Sequence, residues 1–200
     1  AWLAIDGTQS VGALPFSVAE LEPDALICGG YKWLLGPYAL GMAYFGPALD
    51  AGKPVEENWI NRLHSEDFAG LVRYQPSYQP GALRYEVGEH SNFVLLPMLQ
   101  AAIDQLNDWK PAGIQEYCQH LSRGPVEELI AKGVQIASES QRASHLFGFR
   151  LPPHAPKEAI KTRLEANQVY VSFRGEAIRV SCHLYNTAHD FEKLIDCLEL

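Results

Sequence analysis

Apolar residues in the first third of the chain come in short unbroken runs separated by turn-forming residues. Ala1-Trp2-Leu3-Ala4-Ile5, closed by Asp6, reads as a strand. Asp24-Ala25-Leu26-Ile27-Cys28, closed by Gly29-Gly30, and Gly41-Met42-Ala43-Tyr44-Phe45, closed by Gly46-Pro47, read as two more. Wholly apolar strands of this kind belong in a sheet covered on both faces, which points to α/β. Between them, Ser17–Leu21 predicts a helical turn in which Ser17 is the N-cap and Glu20 completes a capping box. A chain that opens inside an apolar strand also predicts an N-terminal portion ahead of it.

Residues 50–90 show neither helical nor strand period and are rich in Pro, Gly, Tyr and Asn. A compact domain keeps a stretch of that length when it lines a site or grips a partner. From Asn92 to Trp109 the apolar positions Phe93, Leu96, Leu99, Ile103 and Leu106 return to helical spacing. A second helix is predicted over Pro111–Lys132. His145–Leu151 then reads as a strand, Pro156–Ala166 as a helix, Val169–Phe173 and Ala177–His183 as strands, and Thr187–Leu200 as a closing helix capped by Asn186 or Thr187. The order helix, strand, helix, strand, strand, helix describes a small α+β layer. The boundary falls within the long helix and divides the chain into residues 1–105 and 106–200.

Composition narrows the function classes. At 47% hydrophobic and 20% charged residues, the 200-residue chain has the make-up of a globular protein. Its formal net charge of −8 would repel a phosphate backbone, so nucleic-acid binding is not expected. No apolar run is long enough to span a membrane. The four cysteines form no CxxC pair and read as buried thiols of a reducing compartment, with the cytoplasm as the expected location. The histidines show no paired spacing for a metal, and no GxGxxG follows a predicted strand, which removes a nucleotide-binding oxidoreductase.

Three residues near the predicted strand ends can do chemistry. Lys32 lies in Gly29-Gly30-Tyr31-Lys32-Trp33, where apolar surroundings would disfavour its ammonium form and leave a nucleophilic amine. Its plainer use is to snorkel to solvent. Asp6 stands at the C-terminal edge of a strand, where α/β sheets bind ligands, but an Asp-Gly also makes turns. Gln9 can donate to a ligand oxygen or simply be exposed.

Asp6-Gly7-Thr8-Gln9, Gly29-Gly30-Tyr31-Lys32 and Arg179-Val180-Ser181-Cys182-His183-Leu184-Tyr185-Asn186-Thr187, in that order, resemble the signature of the class V aminotransferases. That family includes cysteine desulfurases, kynureninases and isopenicillin N epimerase-like proteins. The resemblance covers the whole chain and matches the C-terminal half of a family member. It implies a fold type I enzyme: the C-terminal part of the large mixed α/β domain that binds pyridoxal 5'-phosphate (residues 1–105), then a small α+β domain (residues 106–200). Lys32 is implied to form the Schiff base with the cofactor and to carry protons, Asp6 to pair with the pyridine nitrogen, and Gln9 to bond the ring 3′-oxygen. Arg179 is implied to hold the substrate α-carboxylate through a bidentate fork. Tyr31 is either a phosphate ligand or a packing aromatic. The resemblance also implies an amino-acid substrate and a homodimer with a shared site, with residues 50–90 as the meeting place.

Two departures bear on the reaction. Cysteine desulfurases carry a His before the lysine, where Tyr31 stands here, and a catalytic Cys before the arginine strand, where Val171–Glu176 has none. Desulfurase activity is therefore disfavoured, and an aminotransferase or lyase of unassigned substrate is expected. In Arg84–Asn92, Glu89 replaces the family threonine that reaches the neighbouring subunit's phosphate, so His90, Ser91 or Asn92 takes over or the contact is lost; Ser91 and Asn92 equally suit helix capping. The competing reading is a non-catalytic or truncated family member serving as a dimeric scaffold.

Overall fold

A computed structural model describes residues 1–199 and shows two compact units, Ala1–Asp108 and Trp109–Leu200. The first is built on a three-stranded sheet of β1 (Ala4–Asp6), β2 (Ala25–Gly29) and β3 (Gly41–Phe45), in that order. β1 runs parallel to β2, pairing Asp6 with Ile27, and β3 returns antiparallel, pairing Gly29 with Gly41. The parallel pair brings the C-terminal ends of β1 and β2, with Asp6 and Gly29, to one edge.

β1 is shorter than the apolar run predicts. Leu3 N donates to the Asp24 carboxylate at 2.6 Å while Asp24 N and Ala25 N donate to Leu3 O, so Leu3 ends in a bracket and Trp2 is 69% exposed. Coverage on both faces is not met within the described residues. Leu26 and Cys28 are buried, whereas Ile27, pointing the other way, is about half exposed, as is Met42 beside Cys28 at the sheet edge. The Leu26 face is covered by the turn after β1 and by α2 (Leu95–Trp109), whose Leu99 and Leu106 are buried, while the Ile27 face meets Tyr85 against Phe45 at 4.2 Å and is otherwise more open. The capping box expected at Ser17 does not form. In α1 (Val18–Leu21), the Ser17 carbonyl takes the amides of Glu20 and Leu21, and Glu22, left-handed at φ 45°, ends the helix after one turn.

Residues 50–90 fold around short 3₁₀ turns (Phe68–Gly70, Gly81–Tyr85) and one isolated bridge between Arg62 and Tyr78. Fully buried Asn61 donates from its amide to Glu56 O at 2.7 Å. Arg62 lies over the Tyr78 ring at 4.2 Å and pairs with Glu57 at 3.0 Å. Local hydrogen bonds thus replace the missing periodic pattern.

The second unit holds α3 (Pro111–Ala131), α4 (Lys157–Ala166) and α5 (Ala188–Leu198) with an antiparallel sheet in the order β4-β5-β7-β6. Its strands are β4 (Gln135–Ile136), β5 (Leu146–Arg150), β6 (Ser172–Arg174) and β7 (Ala177–Ser181). Strand alternation buries Phe147, Phe149, Ile178 and Val180 on one face, and Ile114, Ile160, Leu164 and Leu194 of the helices are buried with them. β4, two residues long, is too short to leave a period in the sequence. The strand expected from Val169 begins only at Ser172, because Gln168 turns left-handed (φ 56°) and Val169 N still bonds Leu164 O of α4. α5 is capped as expected by Thr187, here in a capping box with Asp190.

Candidate active site

The loops leaving β1 and β2 are stitched together by side chains, Thr8 and Gln9 on one loop meeting Gly29 and Trp33 on the other. Thr8 Oγ1 accepts from Gly29 N at 3.3 Å, and Gln9 Oε1 accepts from Trp33 Nε1 at 2.9 Å. Gly12 completes the seam. Its φ is 95°, and a Cβ there would stand 2.3 Å from the Trp33 carbonyl oxygen, so only glycine lets the two loops approach this closely.

Asp6 lies at the end of β1, open to solvent, and accepts from Thr8 N at 2.9 Å. Hydrogen bonding from the Thr8 side chain, then from its backbone N–H, holds the Asp6 carboxyl below its ordinary value, with a smaller contribution from the charge of Lys32. The Asx-type turn thus keeps Asp6 an anion beside a lysine. Lys32 itself is exposed, with Nζ 5.7 Å from the Tyr31 ring centroid. The desolvation expected from its aromatic neighbours is absent: Trp33 turns inward and is buried, while Tyr31 turns outward and stacks on Tyr38 at 4.5 Å. Gly30 N donates to Leu40 O and Gly30 O accepts from Gly36 N, both at 2.8 Å, and a Cβ on Gly30 would meet Leu40 O at 3.0 Å.

Ser91 and Asn92 lie at the start of α2. Asn92 Oδ1 accepts from Leu95 N at 2.9 Å, which is the capping use of this residue. Asn92 also lines a hollow of about 620 Å³ over β3 with Met42, Glu89 and His90, and Ser91 lines another beside Trp59 and Phe68. In the second unit Arg179, half-buried on β7, donates to Ser172 Oγ at 3.4 Å. Cys182 is buried just beyond it, and its contact with Cys118, together with burial, pushes its thiol up. Sequence reasoning missed Thr8 and Gly12. The Asp-Gly-Thr triplet carries the signal for Thr8, since Asp side chains bond the backbone two residues on; Gly12 has none, because its contact with Trp33 is long-range.

The model of the family described as aminotransferase class-V matches residues 1–194. The chain belongs to the class V aminotransferase family. Among curated relatives, the uncharacterized aminotransferase YcbU of Bacillus subtilis is 27% identical over 97% of this chain and 50% of its own length. Isopenicillin N epimerase of Streptomyces clavuligerus is 21% identical over 98% of this chain and 51% of its own. The chain therefore spans about half the length of the curated relatives it matches. The fold is shared with the cystine C-S lyase C-DES in complex with its product cysteine persulfide (TM-score 0.81, 22% identity, 98% of this chain and 51% of that one). It is shared equally with a mutant of that lyase carrying glycine covalently linked to its PLP cofactor. The cysteine desulfurase of Thermococcus onnurineus NA1 aligns with TM-score 0.75 at 19% identity, over all of this chain and 52% of its own. No helix among the described residues is long and apolar enough to cross a membrane.

The cofactor of this family is pyridoxal 5'-phosphate, and the chemistry of the donor set fits it. A carboxylate held as an anion suits a protonated pyridine nitrogen, an amide whose oxygen is fixed by Trp33 presents its N–H₂ end as a donor, and an exposed primary amine suits an aldehyde.

Proposed function

We propose that the full-length protein is a pyridoxal-phosphate enzyme acting on an amino acid, as an aminotransferase or lyase. The observation that carries this reading is the Asp6 carboxylate, kept ionised by Thr8 and under the charge of Lys32 at the edge where β1 and β2 end. Asp6 accepts the hydrogen bond of the pyridine N–H. The Gln9 amide nitrogen donates to the 3′-oxygen while Trp33 holds its oxygen in place. Lys32 Nζ would hold the cofactor covalently until the substrate amine takes its place, and the amine so released would carry the proton taken from the substrate Cα. When bound, the cofactor supplies the electron sink that stabilises negative charge at that carbon.

Arg179 grips the substrate α-carboxylate with its planar fork, steadied by Ser172. Tyr31 is the hydroxyl assigned to the cofactor phosphate, and Ser91 and Asn92 are assigned to the phosphate of a neighbouring subunit in a homodimer. Trp59, Phe68 and Tyr74, 46%, 74% and 69% exposed, give the 50–90 segment the aromatic surface such a dimer needs. Sulfur removal by a nucleophilic cysteine is disfavoured, since Val171–Glu176 has no Cys and the raised, buried thiol of Cys182 is a poor nucleophile.

The test is an absorption spectrum of the full-length protein with pyridoxal phosphate, followed by amino-acid titration. A visible band in the wild type, absent in Lys32→Ala and perturbed by an amino acid, supports the reading. No band in either protein overturns it and leaves a scaffold on an enzyme fold.

A further inference from the structure

The helix-free face of the β4-β5-β7-β6 sheet carries arginines in register. Arg150 of β5 and Arg174 of β6 both pair with Ala177 of β7, and on the next rung Gly148 and Ser172 flank Arg179. Alternation puts Arg150, Arg174 and Arg179 together, opposite buried Phe149, Ile178 and Val180. The Arg179 to Ser172 bond fixes this facing directly. Diagonal neighbours on adjacent strands stand roughly 7–8 Å apart, within reach of long side chains, so Arg174 and Arg179 can grip one small molecule.

The face is unusually basic for its chain. Net charge is −8, yet among the described residues none of these arginines has a carboxylate within ion-pair distance. Glu176 in the β6-β7 turn is held by Lys157 and feels Arg150 only as a lesser influence. Small residues keep the space over the rungs open: Ala177 separates Arg150 from Arg174, and a Cβ on Gly148 would meet nothing closer than Ile178 O at 3.7 Å.

We infer that Arg174, supported by Arg150, selects an α-amino acid whose side chain ends in a second acidic group. The inference rests on the proposed function, in which Arg179 takes the α-carboxylate. Arg174 then meets the distal carboxylate, with Arg150 across Ala177 adding charge from the far side. A guanidinium suits this task because its fork matches a carboxylate and stays charged at any working pH.

The test titrates the full-length, cofactor-loaded protein with aspartate and glutamate against asparagine, glutamine and norleucine, reading dissociation constants by calorimetry and by spectral change. Wild type should bind the better dicarboxylate roughly tenfold or more tightly than its amide, the scale of one charge-assisted pair, and added salt should shrink that margin. Arg174→Gln should remove the preference while leaving neutral amino acids unchanged, and Arg174→Lys should restore part of it. Equal affinity for acids and amides overturns the inference while leaving the proposed function standing, and so does a preference that survives both Arg174→Gln and Arg150→Gln. If no amino acid of either kind binds, the proposed function falls and takes the inference with it.

Discussion

Asp6 owes its state to Thr8, a residue with no chemistry of its own in the site. Because its folded-state value is lowered, Asp6 adds stability that is present above the unfolded carboxylate value of about 3.9 and fades as pH falls through the lower folded value. Thr8→Val keeps the backbone N–H bond but removes the larger, side-chain contribution. We expect the Asp6 midpoint to move upward in carboxyl NMR titration of the full-length protein, and pyridoxal-phosphate affinity to fall at mildly acidic pH; an unmoved midpoint would show that Thr8 is incidental. Gly12 is a second dependency. Gly12→Ala forces a Cβ against the Trp33 carbonyl at a left-handed φ, and should cost more than about 1 kcal/mol in thermal or denaturant unfolding. The sequence marked Asp6, Gln9, Lys32 and Arg179 through local motifs. It did not mark the exposure of Lys32, because side-chain direction in the turn after β2 is set by Trp33 packing inward and bonding Gln9, a contact 24 residues apart.

Elements with strong periods were readable and elements set by partners were not. β2, β3, α2, α3 and α5 follow their apolar patterns within a few residues. β4 exists only because Gln135 and Ile136 meet Arg150 and Phe149, and the Ser17 capping box fails because its helix is one turn long. α5 shows the opposite case, in which the cap forms. Asp190 accepts from Thr187 N at 2.8 Å, and that backbone bond is the main cause holding its carboxyl below the ordinary value. Asp190→Asn or Thr187→Ala should lower stability by about 1 kcal/mol at neutral pH. The Asp190→Asn loss should shrink on acidification, since the wild-type advantage disappears as Asp190 protonates. In the sheet beneath, Ile178, 2% exposed, should cost about 2–5 kcal/mol when cut to Ala. Denaturant unfolding at two pH values reads both effects.

The whole molecule shows what one chain's pattern leaves open. The apolar runs of β1–β3 predict burial on both faces, yet Ile27 and Met42 stand half exposed, and Trp59, Phe68 and Tyr74 display aromatic surface from the 50–90 segment. Hydrophobic pattern states that a surface wants covering without naming what covers it. If the 50–90 segment is the dimer contact, the full-length protein should sediment as a dimer, and the pair Trp59→Glu and Phe68→Glu should yield monomers with weakened cofactor binding. A dimer unaffected by both changes would place the contact elsewhere.

The most direct measurement is borohydride reduction of the full-length protein with pyridoxal phosphate, followed by peptide mapping. The reduced cofactor should be found on the Lys32 peptide alone, and Lys32→Ala should carry none. Label spread over surface lysines, or label retained by Lys32→Ala, would contradict the assignment of Lys32 and with it the site built around Asp6 and Gln9.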